Sequence, residues 1–263
     1  MTHAATAGSV VDIQRRGNVA LVVVDNPPVN ALSDPTLEAL GAAAEAIGAD
    51  ADVRAVVLTG DGKKAFMAGA DIVEFNGALG DEVWLERHTQ LTRQVFGLWE
   101  ALPQPVVAAV QAPAVGGGLE MMLVCDFAVA DPAAKFGFPE IGLGLIPGAG
   151  GTQRLPRVVP RALAREMVML GTLIDAETAR ACGLVNWVSE PGAALAEATA
   201  VAERIAALPA LAVRASKQAL RAADESLAAG LDLERALFGE VFGSPDAREG
   251  VSAFVEKRPA RFG

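Results

Sequence analysis

Three short apolar runs, each closing on a turn and each followed by a helical stretch, constrain this chain most. Residues 19–24 end at Asn26-Pro27-Pro28, residues 55–58 at Thr59-Gly60-Asp61-Gly62, and residues 105–110 feed Gly116-Gly117-Gly118. The second and third are apolar at successive positions, as strands buried on both faces are. Helical periodicity follows over residues 34–47, with Asp34 as N-cap and Pro35 at the first helical position, over 81–102, and again from Leu119. Strand, turn and helix therefore alternate through the first half, as stacked βα units require. Beyond Asp175 the pattern turns mostly helical: one strand at 184–188, then helices at 193–207, 211–228, 231–243 and 246–256. This shift divides the chain into a core, 1–203, and a helical region, 204–263. A helical tail that adds no strand must bury its apolar faces on the core or on a partner chain, so an oligomer is expected.

Composition excludes several function classes. Hydrophobic residues make up 52% of the 263, ample for a continuous core. The formal net charge is −10, which disfavours nucleic acid or an anionic membrane as the main partner. No uncharged apolar stretch reaches membrane-spanning length; the best, 119–130, is short and contains Glu120 and Asp126. The first twelve residues hold no Lys, Arg or long apolar run, so no secretory or mitochondrial address is expected and the location is read as cytoplasmic. Cys125 and Cys182 form no CxxC and read as buried small hydrophobes in a reducing compartment. His3 is read as part of a frayed terminus and His88 as lying on a polar amphipathic stretch; neither has a Cys or second His at ligand spacing, so no metal site is expected. There is no Tyr and no GxSxG, which disfavours a serine hydrolase. Gly148-Ala149-Gly150-Gly151 fails as a dinucleotide loop, because Gln153 stands where the third glycine belongs.

The chemistry-bearing signal is a pair of glutamates in glycine-rich, otherwise apolar surroundings: Glu120 after Gly116-Gly117-Gly118-Leu119, and Glu140 within Phe136-Gly137-Phe138-Pro139-Glu140. A carboxylate among apolar residues is costly unless paired, hydrogen-bonded or used. Burial raises its pKa toward neutrality, where it can donate or accept a proton. The glycine turn opens a helix, whose first N–H groups lack intrahelical acceptors and suit an oxyanion. The Ala68-Gly69-Ala70-Asp71 turn offers a second donor, and two converging N–H groups make an oxyanion hole.

Together these pieces resemble the enoyl-CoA hydratase/isomerase (crotonase) family over nearly the whole chain. The matching blocks are Asn26-Pro27-Pro28-Val29-Asn30-Ala31, GKKAFMAGADI at 62–72, Gly116 to Glu120, Phe136 to Glu140, IPGAGGTQRLP at 146–156 and REGVSAFVEKR at 248–258. The resemblance implies an α/β fold, a crotonase-like spiral of stacked ββα units with a C-terminal helical trimerisation region, assembled as a homotrimer or dimer of trimers. It implies an acyl-CoA substrate, with Ala70 and Gly117 N–H as the oxyanion hole and Glu120 and Glu140 as the catalytic pair. It places Lys64, Ala68, Asp71, Ile72 and Gly148 around substrate and CoA, and Phe254 and Lys257 at the nucleotide end of CoA on a neighbouring subunit. No cofactor is implied beyond the CoA of the substrate. Gln111-Ala112-Pro113 replaces the family's Asn-Gly-aromatic, Met67 stands where a smaller residue is frequent, and Val73 replaces a lysine; these departures bear on chain length and CoA affinity.

With both glutamate positions filled, the leading expectation is a 2-enoyl-CoA hydratase for short- to medium-chain substrates. A Δ3,Δ2-enoyl-CoA isomerase or a pathway-specific hydratase or dehydratase is the alternative on the same fold. A non-catalytic CoA- or RNA-binding homologue ranks below both, because no Lys/Arg-rich run accompanies the acidic balance.

Overall fold

The structure is a computed structural model that describes residues 10–224 and 226–262. The expectation for His3 and most of that for the first twelve residues lie outside the described residues. The chain runs β1 (Val11–Arg16), β2 (Val19–Val24), α1 (Asp34–Ala49), β3 (Ala55–Gly60), α2 (Ile72–Ala78), α3 (Glu82–Ala101), β4 (Val106–Val110), β5 (Ala114–Val115), α4 (Gly117–Leu123), β6 (Phe127–Ala130) and β7 (Lys135–Gly137). A 3-10 turn (Pro139–Leu143) leads to α5 (Gly151–Val158), α6 (Arg161–Met169), β8 (Ile174–Asp175), α7 (Ala176–Ala181) and β9 (Trp187–Val188). The helical end is α8 (Ala194–Ala206), α9 (Ala210–Arg221), α10 (Leu227–Phe242) and α11 (Pro245–Glu256).

Six strands form the main sheet in the order β1-β2-β3-β4-β6-β9, with only β1 antiparallel to its neighbour. A small sheet, β5-β7-β8, lies beside it, and a bridge from Met67 to Ala114 carries its line into the preceding turn of chain. Each circuit thus lays down one main-sheet strand, one short segment and a helix. This is the α/β spiral of stacked strand-strand-helix units.

Alternation along the main strands explains why they are apolar throughout. Val56 and Leu58 face the large core under α1 and α3, whereas Ala55 and Val57 face Val107, Ala109 and Val129 and the Ala194, Ala198 and Ala202 stripe of α8. Both sheet faces are covered, and burying each Val or Leu contributes roughly 1.5–3 kcal/mol.

Local details differ from the sequence reading. The N-cap of α1 is Ser33 rather than Asp34, so Pro35 sits one position further in. Asp34 is instead drawn to His88, whose Nδ1 donates to Asp34 Oδ1 at 2.6 Å. His88 is 6% exposed, stacked on Trp84 and edge-on to Phe75, so its stretch is not a purely polar face. The apolar stretch after Leu119 splits into α4 and β6. The helix expected over 211–228 breaks into α9, a 3-10 turn (Ala222–Asp224) and α10, because Ser226 starts a new helix by accepting from Ala229 N. The expected strand at 184–188 shrinks to β9. Both cysteines are free and half-buried.

The tail differs in kind from the core. No residue of α10 is buried, and Leu227, Leu231, Phe238, Phe242, Val251, Phe254 and Val255 are all exposed. No described helix is long and apolar enough to cross a membrane. No group of three or more His, Cys, Asp or Glu able to hold a metal ion occurs among the described residues.

Candidate active site

The triple glycine is dictated by crowding. Gly116 has φ +55°, and a Cβ there would fall 2.9 Å from Glu140 Oε1. A Cβ on Gly118 would lie 1.8 Å from the Met67 carbonyl oxygen, so only glycine lets α4 start against that strand segment. Glu120 lies in the first turn of α4 and is 3% exposed. Its Oε1 accepts from Ala149 N at 2.8 Å and from Gly151 N at 2.7 Å. Burial raises the Glu120 pKa, while the two amide N–H groups and the nearby Arg154 charge oppose that rise by favouring the anion.

Glu140 enters from the 3-10 turn after β7. Its Oε2 is buried without a hydrogen-bond partner among the described residues. Burial, reinforced by the charge of Glu120, raises its pKa to about 7. The fold thus brings both glutamates to one site and gives them unlike surroundings.

Ala70 and Gly117 also meet. A Cβ on Gly69 would lie 3.2 Å from Gly117 N, and one on Gly117 would lie 3.8 Å from Ala70 N. The neighbouring backbone is spoken for: Ala68 N donates to Val29 O at 2.9 Å and Leu32 N to Gly69 O at 3.1 Å. The N–H groups of Ala70 and Gly117 themselves have no acceptor among the described residues. Two unengaged donors therefore converge beside two carboxyl groups, the arrangement that stabilises a developing oxyanion.

The remaining expected contacts are more scattered. Asp71 is the N-cap of α2, its Oδ1 accepting from Val73 N at 2.9 Å and Glu74 N at 3.3 Å, which fixes the helix starting just after Ala70. Ala68 is half-buried, whereas Lys64, Ile72 and Val73 are exposed. Gly148 is exposed, one residue before the loop that grips Glu120. Phe254 is 85% exposed and Lys257 caps α11 with φ +55°; α11 packs chiefly on α10, so the chain by itself does not bring these two to the glutamates. Met67 is fully buried. Gln111 fastens the β3 end to β4, donating to Gly60 O at 2.7 Å and Ala65 O at 3.2 Å, so the departure from the family pattern keeps the turn closed. An open concavity of about 630 Å³ is lined by tail residues, among them Glu249, Arg258 and Arg261, and includes neither glutamate.

A profile described as enoyl-CoA hydratase/isomerase matches residues 14–263. The chain belongs to the enoyl-CoA hydratase/isomerase family. It is 40% identical over 255 residues to the crotonyl-CoA hydratase of Syntrophomonas wolfei, covering 95% of this chain and 96% of that one. It is 39% identical over 250 residues to the short-chain-enoyl-CoA hydratase of Clostridium acetobutylicum, covering 94% and 95%. The crystal structure of enoyl-CoA hydratase from Bacillus anthracis superposes with TM-score 0.91 at 36% identity, covering 96% and 98%. Family members act on acyl-CoA thioesters, and the spiral with its helical end is the crotonase fold.

Sequence reasoning missed Ala149 and Gly151 as donors, and Arg154 and Glu100 behind them. Backbone donors have no side-chain signature; the available signal was a buried carboxylate needing partners and a glycine-rich loop with no other role.

Proposed function

We propose that this protein is an enoyl-CoA hydratase, adding water across the 2,3 double bond of short- to medium-chain 2-enoyl-CoA thioesters to give 3-hydroxyacyl-CoA. The observation that carries this reading is the meeting of two differently tuned glutamates with two unengaged backbone N–H groups. The thioester oxygen accepts from Ala70 N and Gly117 N, which polarises the conjugated alkene and stabilises the enolate-like transition state. Glu120, whose amide partners favour the anion, takes a proton from water as its oxygen bonds to C3. Glu140, protonated up to about pH 7, delivers a proton to C2. Water is consumed and no redox change occurs, so the step needs no further cofactor.

The relatives of 39–40% identity named for crotonyl-CoA and short-chain enoyl-CoA hydration support this substrate class. Lys64, Ala68, Asp71, Ile72 and Gly148 are assigned to substrate and CoA contacts. The bare apolar faces of α10 and α11 support a homotrimer or dimer of trimers, in which Phe254 and Lys257 reach CoA on a neighbouring subunit. The assembly is assigned to the cytoplasm, with no nucleic-acid or membrane partner.

Incubation with crotonyl-CoA is expected to yield 3-hydroxybutyryl-CoA, and Glu120→Gln to abolish most of the rate. A wild type giving no product, or a Glu120→Gln variant as fast as wild type, overturns the reading. A 3-enoyl-CoA run in parallel tests the isomerase alternative by the ratio of rates. Light scattering tests the trimer.

A further inference from the structure

The loop that grips Glu120 is itself held from behind. Arg154, in α5, donates through Nη1 to Ala149 O at 2.9 Å, the carbonyl of the residue whose N–H donates to Glu120. Its guanidinium lies over Gly150, where a Cβ would come within 2.0 Å of Nη1; Gly150 also has φ +106°. The same guanidinium forks onto Glu100 of α3, with Nε to Oε1 at 3.1 Å and Nη2 to Oε2 at 2.9 Å. That hydrogen bond lowers the Glu100 pKa from its ordinary value, against the opposing effect of partial burial. The planar fork matches a carboxylate in two bonds, which a lysine cannot do.

We infer that Arg154 and Glu100 are positioning residues for the reaction: anchored on α3, the guanidinium fixes the Ala149–Gly151 loop so that two backbone N–H groups meet one oxygen of Glu120. The inference rests on the hydratase reading. Neither side chain is needed to touch substrate. The charged groups facing Glu120 are Arg154 from α5 and Glu140 from the 139–143 turn. Those facing Glu100 are Arg154 and, from α9, Lys217 and Arg221. Arg154 thus does two separable things: it orients the loop through its fork, and its charge favours ionised Glu120.

Three variants separate them. Arg154→Lys keeps the charge and loses the fork. Its kcat for crotonyl-CoA hydration falls about 10- to 100-fold, as for a catalytic group displaced by about an ångström, with KM little changed and the pH profile in place. Arg154→Gln loses both, so kcat falls further and the acid limb moves to higher pH. Glu100→Gln frees the guanidinium but leaves its charge unopposed, so kcat falls while the acid limb stays or moves to lower pH. A merely structural pair would lower melting temperature in all three without moving the acid limb of Arg154→Gln to higher pH. An active wild type with unchanged kcat and pH profile in Arg154→Lys and Arg154→Gln overturns this inference and leaves the hydratase reading standing. An inactive wild type removes that reading instead. In that case the infrared carboxyl band of Glu120, assigned with Glu120→Gln, still decides: it titrates at higher pH in Arg154→Gln if the inference holds and at the wild-type pH if it does not.

Discussion

Glu120 and Glu140 are the same residue type desolvated in the same site, and burial raises the pKa of both, yet their carboxyl oxygens meet unlike partners. Glu120 is the more deeply buried, but its Oε1 takes two backbone N–H bonds and feels Arg154. Glu140 has a buried oxygen with no partner and a carboxylate neighbour, and its pKa rises to about 7. Depth of burial alone would make Glu120 the acid. The nearest dipoles work against that: the amides aimed at Glu120 Oε1 favour its anion and offset part of the rise that burial causes, whereas the buried Glu140 Oε2 has no such donor and the neighbouring Glu120 charge adds to the rise.

The largest effect comes from removing either member. Glu120→Gln and Glu140→Gln should each cost about 10²–10⁴ in kcat, the range of general acid–base catalysis. Steady-state assays with crotonyl-CoA test this, and they break the comparison if one variant retains full activity. A sharper form follows from the coupling. Because the charge of Glu120 helps raise Glu140, Glu120→Gln should lower the pH at which the Glu140 carboxyl titrates, read by infrared. No movement would mean that desolvation alone sets it.

Next comes the cradle. A Cβ on Gly151 would lie 2.6 Å from Phe138 Cζ and 3.0 Å from Glu120 Oε1, whereas one on Gly148 meets nothing. Gly151→Ala should therefore destabilise the fold by about 1–3 kcal/mol through overpacking. It should also depress kcat by displacing the Glu120 carboxyl. Gly148→Ala should shift stability by under about 0.5 kcal/mol. Thermal melts of the two variants decide, and equal losses would discredit the crowding argument.

The neutral range offers a third test. Glu140 has a folded pKa of about 7 against an ordinary 4.5, so the folded state holds its proton more tightly than the unfolded chain does. That contribution to stability is complete below 4.5 and is lost as pH rises through about 7. Glu140→Gln has no charge to bury, so its melting temperature relative to wild type should rise between pH 4.5 and 7 and then level off. In wild type, kcat/KM should fall as pH rises through about 7, because the acid is spent. A flat melting difference would return Glu140 to an ordinary solvated carboxyl.

How much of this was legible depends on where the information lies. Val19–Val24, the run at 55–58 and that at 105–110 were readable because strands covered on both faces must be apolar throughout. β5, β7 and β8 are two or three residues long and leave no periodicity, and the spiral itself came from the family resemblance. The break at Ser226 and the cap at Ser33 were hidden because capping competes with a helical pattern without changing its period. The glutamates stood out as charges in apolar stretches, and the glycines as close-approach points. Arg154 and Glu100 did not, being 54 residues apart and joined only when α3 and α5 meet. His88 was read as lying on a polar stretch because Asp34, its partner, is equally remote in sequence.

The smallest effect tests whether the pH behaviour belongs to the two glutamates alone. Asp71 caps α2 immediately after Ala70, so Asp71→Ala should cost about 1 kcal/mol of stability and loosen the donor that both halves of the reaction share. Such a loss weakens oxyanion stabilisation without altering the surroundings of either carboxyl. The expected result is a modest fall in kcat with both limbs of the pH profile unmoved. If a limb shifts, the oxyanion site is coupled electrostatically to the acids, and the contrast between Glu120 and Glu140 cannot be attributed to their nearest donors alone.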